Sequence, residues 1–178
     1  MDEKKKHAQI KNSIQNGGVL LQWTKAMSVG NRVLDNDHKA FFDLAHIIVE
    51  VDADNGSSIV LQSALNMLAD YVAGHFLREE KALQAAKYPH LEEHRQKHHA
   101  FRIRIMKIVN DYSEGKNEDL RNLPGLVVNW LRQHIFDEDM QYKGFIEAKF
   151  VDKRPLAFLA AEAEDTDELE NIKALGRK

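Results

Sequence analysis

The chain of 178 residues contains no cysteine, only three prolines and a formal net charge of -3. Each shortage excludes something. Without cysteine there can be no disulfide, thiolate metal site or cysteine nucleophile, so any metal must be held by nitrogen and oxygen. The near-balanced charge supplies no broad basic field, which argues against nucleic acid as the main partner. No apolar run reaches the roughly 20 residues that a membrane-spanning helix needs. The opening MDEKKKHAQIKNSIQNGG has a basic cluster without an apolar stretch behind it, so it is not a secretory signal and membrane partners are not expected. These absences describe a soluble, cytoplasmic protein. Few prolines among abundant Leu, Ala, Glu, Lys and Gln favour helices.

What the chain has in excess is histidine, nine in all. The stretch His75 to His98 organises the rest. His75 with Glu79 and His94 with His98 are each spaced i, i+4, which places both side chains of a pair on one helical face. Between them Tyr88-Pro89 marks a break, because the residue before proline is driven from helical geometry. The pattern predicts a helical hairpin whose two ligand pairs face each other near the turn.

Four amphipathic helices follow from the apolar spacing. The first begins near Leu34-Asp35 and runs to about Val51, with Phe41, Ala45 and Ile48 in phase with His38. Asp35 reads as its cap or as a partner to a ligand. The second, about 58–86, carries Leu61, Leu65, Leu68, Val72, His75 and Glu79 at alternating spacings of four and three, with Ser57 or Ser58 as N-cap. The third, about 90–113, carries Leu91, His94, His98, Phe101, Ile105, Ile108 and Tyr112. The fourth, about 118–149, carries Leu123, Val127, Trp130 and His134. Asp139 follows five residues later, a rotation of about 140° on a regular helix. Beyond it Tyr142 and Ile146 resume the stripe in a shifted phase. A π-type bulge between His134 and Asp139 would repair both irregularities. A variable arm at 1–20, with a short helix from about Asp2 to Gln15, precedes the bundle at 21–150. The extension at 151–178 is expected to hold two short acidic helices after Pro155 ends the fourth.

Short loops make an all-α, up-down-up-down four-helix bundle the expected fold. In that topology His38, His75, Glu79, His94, His98, His134 and Asp139 all fall toward one end of the core. Burying five imidazoles and two carboxylates is costly unless they pair or bind metal. Their number suits two ions about 3.5–4 Å apart with bridging carboxylates, and the ligand types suit iron, manganese or zinc. Ferritin-like carboxylate proteins are disfavoured, because the chain has no Glu-x-x-His motif.

These residues together resemble a hemerythrin of the bacterial type. The resemblance rests on Trp23 with Val29-Gly30, on Leu34-Asp35-Asn36-Asp37-His38 and on His75-Phe76-Leu77-Arg78-Glu79-Glu80. It continues through Tyr88-Pro89, His94-x-x-x-His98 and Trp130-Leu131-Arg132-Gln133-His134-Ile135-Phe136-Asp137-Glu138-Asp139, covering about residues 20–150. It implies a non-haem di-iron centre that binds dioxygen reversibly and serves oxygen storage, transport or delivery rather than catalysis. His94, His98 and His134 would ligate one iron, and His38 and His75 the other. Glu79 and Asp139 would bridge together with an oxo or hydroxo group. The second iron then keeps an open position, and Trp130, Leu131 and Ile135 resemble the apolar wall beside it. Leu83 stands where many relatives carry methionine.

Glu80, Asp137 and Glu138 read as solvent-facing, and no further acid or base is legible at the level of the ligands. His7, His46, His90 and His99 fall off the seams. Competing functions are sensing of oxygen, nitric oxide or redox state through the same centre, binding of other small anions there, a di-iron peroxidase or oxidase, and a di-zinc hydrolase. The protein partner is not legible.

Overall fold

A computed structural model describes residues 22–53, 58–116 and 122–175. The expected helix at Asp2–Gln15 and the cap at Ser57 lie outside them. Four helices form an up-down-up-down bundle. They are α1 (Arg32–Ala53), α2 (Ser58–Ala85), α3 (Leu91–Ser113) and α4, which begins as Leu123–His134. The chain continues through a π-helical turn at Ile135–Asp139 and a last α-turn at Met140–Tyr142. The π turn inserts the residue that the five-residue spacing requires.

Local chemistry explains the ends. Asn31, not Asp35, caps α1: its Oδ1 accepts the Val33 and Leu34 amides at 3.0 and 3.4 Å. Asp35 lies within the first turn and turns back to the entering loop, accepting from Ser28 Oγ at 2.6 Å and the Val29 amide at 2.9 Å. Helix α2 closes with the Tyr88 amide on the Leu83 carbonyl at 3.0 Å and the Lys87 amide on Gln84 at 3.1 Å. Lys87 takes the left-handed position at φ 53°, a place usually held by glycine. Pro89 then leads into α3, whose first turn carries Glu92 and Glu93 where the helix dipole favours negative charge.

Helix α4 stops at Tyr142, earlier than the expected 149. Gly144, at φ 96°, adopts a conformation that a helix cannot continue. Pro155 therefore does not end α4. It precedes one continuous helix, α5 (Leu156–Leu175), where the sequence suggested two short ones. Helix α5 packs along α2 through small residues, Ala160 and Ala163 against Ala73.

The bundle core is divided. A large apolar cluster contains Phe41, Ile48, Leu65, Leu68, Val72, Phe101, Ile105, Val127, Leu131 and Ile135. A smaller one, built from Val29, Leu34, Ala82, Leu83, Tyr88, Tyr142 and Val151, plugs the near end. Leu83 is fully buried in that plug. The polar seam residues form a layer between the two clusters.

Candidate metal centre

All seven predicted ligand residues meet in this layer, and each is at most 4% exposed. His38 comes from α1, His75 and Glu79 from α2, His94 and His98 from α3, and His134 and Asp139 from α4. The π turn brings Asp139 onto the face of His134, with Oδ1 3.1 Å from His134 Nε2.

The residues divide into two nests. In the first, His94 Nε2 lies 2.5 Å and His98 Nε2 3.6 Å from Glu79 Oε1, and His98 and His134 Nε2 are 2.9 Å apart. In the second, His75 Nε2 is 3.6 Å from Glu79 Oε2 and His38 Nε2 is 3.3 Å from Asp139 Oδ2. Each carboxylate thus aims one oxygen at each nest. Ligand-capable atoms of Glu79, His94, His98 and His134 lie within 4.8 Å of one another, as do those of His38, His75 and Glu79.

The residues fit a pair of cations. Both ring nitrogens of His38, Nε2 of His75 and both oxygens of Asp139 are buried without a hydrogen-bond partner. The 3.3 Å approach of His38 to Asp139 lacks hydrogen-bond geometry. Buried polar atoms left unpaired are costly, and metal coordination would satisfy them. The nitrogen and oxygen donors, without sulfur, suit first-row divalent ions. Two imidazole nitrogens pointed at each other across 2.9 Å need a shared proton or a shared cation between them.

Electrostatics agree. Burial alone would raise the Asp139 carboxyl, but His134 and His38 hold it well below its usual range. Burial and the charge of Asp139 push Glu79 upward, yet His94 and His75 bring its net shift below the usual value. Both carboxylates are therefore held as anions. Burial drives His98 well below its usual value, with His134 and His94 adding to the effect, so the ring stays neutral and keeps one lone pair available.

A second layer supports the first, and the sequence did not reveal it. Asp37 Oδ2 sits 3.3 Å from His75 Nδ1 and also accepts from the buried Arg78 guanidinium. Glu80, expected in solvent, instead meets His98 Nδ1 at 2.8 Å with its side chain 21% exposed. Engaging Nδ1 fixes which nitrogen faces the centre. The Tyr142 hydroxyl donates to Glu79 Oε2 at 2.8 Å, so further acidic groups do stand at the ligand level. Asp137 is exposed, as expected, and Glu138 is partly buried and paired with Lys97. The signals for Asp37, Arg78 and Glu80 were only their adjacency to His38 and Glu79.

Aromatic rings close the layer toward the large core. Trp130 stacks on His134 with centroids 4.4 Å apart, and Phe76 lies flat on His98 at 3.7 Å. Leu131 and Ile135 are buried beside them, at 3% and 0% exposure. Of the remaining histidines, His90 and His99 are exposed, His46 is half-buried and His7 lies outside the described residues.

An all-α bundle with a buried, two-nest histidine–carboxylate layer defines a class of protein built to hold two metal ions between its helices. The hemerythrin HHE cation binding domain matches residues 29–146, and the chain belongs to the hemerythrin family. It is 29% identical over 124 residues to a bacteriohemerythrin of Pseudomonas paraeruginosa, covering 68% of this chain and 78% of that protein. A hemerythrin-like protein of Naegleria gruberi is 30% identical over 124 residues, covering 70% and 92%, and the hemerythrin of Phascolopsis gouldii is 26% identical over 125, covering 70% and 91%. A crystal structure of wild-type hemerythrin superimposes with a TM-score of 0.66 at 26% identity, covering 71% of this chain and 97% of that one. The family implies a non-haem di-iron centre and, in general, dioxygen binding. Among the described residues no helix is long and apolar enough to cross a membrane.

Proposed function

We propose that the chain binds dioxygen reversibly at a di-iron centre, for storage, transport or delivery rather than turnover. His94, His98 and His134 would hold one iron, His38 and His75 would hold the other, and Glu79 and Asp139 would serve both. The observation that carries this reading is the division of each carboxylate, one oxygen toward a three-histidine nest and one toward a two-histidine nest. The unequal count would leave the ion on the His38 and His75 side with one protein ligand fewer, and that side is where a small molecule would enter. When bound, two ferrous ions would supply the electrons that dioxygen binding needs.

The protein's part is to keep that position dry and free of stray protons. On the two-histidine side buried Phe41 lies edge-on to His75 at 5.3 Å, and Trp130, Leu131 and Ile135 continue the apolar wall beside His134. Tyr142 commits its proton to Glu79. Burial, followed by the charges of Asp139 and Glu79, holds the phenol well above its usual value, which suits a hydrogen-bond donor and not an acid catalyst.

A sensing role through the same centre is favoured by one observation, the hydrogen-bonded connection between the segment before α5 and His75 through Arg78 and Asp37.

The deciding experiment is the visible spectrum of iron-loaded protein, reduced without oxygen, exposed to air and then purged with argon. A charge-transfer band that rises in air and fades on purging is expected. Direct passage to the oxidised spectrum, with no return on purging, would overturn reversible binding.

A further inference from the structure

Arg78 is 3% exposed, on α2, between His75 and Glu79. Its guanidinium joins two distant parts of the chain. Nη1 donates to Asp37 Oδ2 on α1, and Nη2 donates to the backbone carbonyl of Arg154. The same Asp37 oxygen lies 3.3 Å from His75 Nδ1. A continuous polar line therefore runs from the Arg154 carbonyl through Arg78 and Asp37 to an imidazole of the metal layer. Its outer end falls beyond the family match, which closes at residue 146.

Three features hold that outer end in place. The Arg154 side chain donates to Asp152 at 2.6 to 3.1 Å and to Glu162 at 2.8 Å. Lys81 of α2 pairs with Glu162 of α5. Gly74 lets the α5 backbone lie directly on α2, since a Cβ there would fall 2.6 Å from the Leu156 carbonyl oxygen. Only a guanidinium has the rigid fork to hold two acceptors at once, and a buried cation with one acceptor removed is strongly disfavoured.

We propose that the 152–163 segment is a working part of the metal centre. Its docking fixes Arg78, Arg78 orients the Asp37 carboxylate, and Asp37 holds the His75 ring with Nε2 toward Glu79. Arg78 and Asp37 are then positioning residues for the two-histidine side of the centre. The proposal rests on the reading of His75 as a ligand. A carboxylate behind a ligating imidazole fixes its tautomer and raises its donor strength, and such partners are typically worth about 10- to 100-fold in metal affinity. The coupling is reciprocal: metal uptake that draws on His75 must change the free energy of α5 docking by the same amount. The C-terminal helix thereby becomes an element whose attachment reports on the centre.

The test titrates the metal-free full-length chain with cobalt(II), following absorption and heat, in parent, Arg78→Gln, Arg78→Lys and Gly74→Ala. Gly74→Ala favours α2 in helix propensity while pressing α5 away. Arg78→Lys keeps the charge toward Asp37 but cannot span both acceptors. The parent should take up two ions. In Arg78→Gln one of them should weaken about 10-fold or more while the other keeps its parental affinity, and Gly74→Ala and Arg78→Lys should shift the same ion by less. Amide exchange over 156–163 should slow when the parent is loaded with metal.

Parental affinities for both ions in Arg78→Gln would overturn the proposal, as would equal weakening of both, the signature of a merely structural arginine. Faster exchange over 156–163 in Gly74→Ala with both affinities unchanged would overturn it too. A parent that binds fewer than two ions would instead overturn the ligand assignment on which the proposal stands.

Discussion

Tyr142 donates its hydroxyl hydrogen to Oε2 of Glu79 across 2.8 Å, and both side chains are buried, at 1% and 0% exposure. That oxygen is the one facing His75, so the phenol sits at the edge of the two-histidine nest. Hydrogen bonds to a charged acceptor contribute about 1.5–3 kcal/mol. Replacing Tyr142 by phenylalanine keeps the ring in the apolar plug and leaves Glu79 short of one donor. Urea unfolding of metal-free Tyr142→Phe should show a loss of about 1–3 kcal/mol with an unchanged denaturant slope. An unchanged midpoint would mean that Glu79 finds an equivalent partner.

The four helices were legible because their apolar spacing is regular, and the π turn because the interval from His134 to Asp139 breaks that regularity. The layer of seven was legible for the same reason, since histidines and carboxylates stand where leucines belong. Asp37, Arg78 and Glu80 lie on faces beside the seam, which an isolated bundle would expose. Arg78 becomes buried and bridging through its bonds to Asp37 and to the Arg154 carbonyl, an arrangement that no helical periodicity encodes. Asp35 was misread because its partners, Ser28 and the Val29 amide, lie in an irregular entering loop. Tyr142 was in phase with Asp139, yet a tyrosine on a seam reads first as packing. The overlong fourth helix reflects Gly144, whose positive φ outweighed the continuing apolar stripe.

Ile135 is fully buried at the start of the π turn, within the large core and next to His134 in sequence. Ile135→Ala removes three carbons from a closed wall and should cost about 2–5 kcal/mol in unfolding free energy. If the wall keeps water from the centre, the iron-loaded variant should also lose its air-induced visible band to the oxidised spectrum faster than the parent does. Destabilisation without faster oxidation would make Ile135 a packing residue only.

The Glu80 carboxyl is pushed up to about 7, by burial first, with Arg95 opposing and the charge of Glu79 adding. Its folded value exceeds its unfolded one, so the native state holds a proton that the unfolded chain releases. The stability this contributes is present below about pH 4.5 and is lost as the pH rises toward 7. At 1.36 kcal/mol per unit the loss is on the order of 3 kcal/mol. Metal-free Glu80→Gln removes this titration. Its stability relative to the parent should therefore be greater at pH 8 than at pH 5, measured by urea unfolding at both. A difference that does not change with pH would show that Glu80 titrates normally beside His98.

The ligand assignment makes a contrast between two histidines of the same chain. His134 is 4% exposed, stacked on Trp130, with Nε2 3.1 Å from Asp139 Oδ1. His90 is exposed in the turn before α3, 3.5 Å from Glu93 and edge-on to Tyr88. Both substitutions to alanine remove one imidazole, yet only the first removes a donor from the three-histidine nest. His134→Ala should bind fewer than two metal ions per chain. It should also lose much of the rise in Tm on metal loading, because that rise grows with the logarithm of ligand concentration over Kd. His90→Ala should keep both ions and the full thermal shift. Metal content by elemental analysis and paired melts with and without metal decide the matter, and equal losses in the two variants would mean that the buried layer is not where the ions sit.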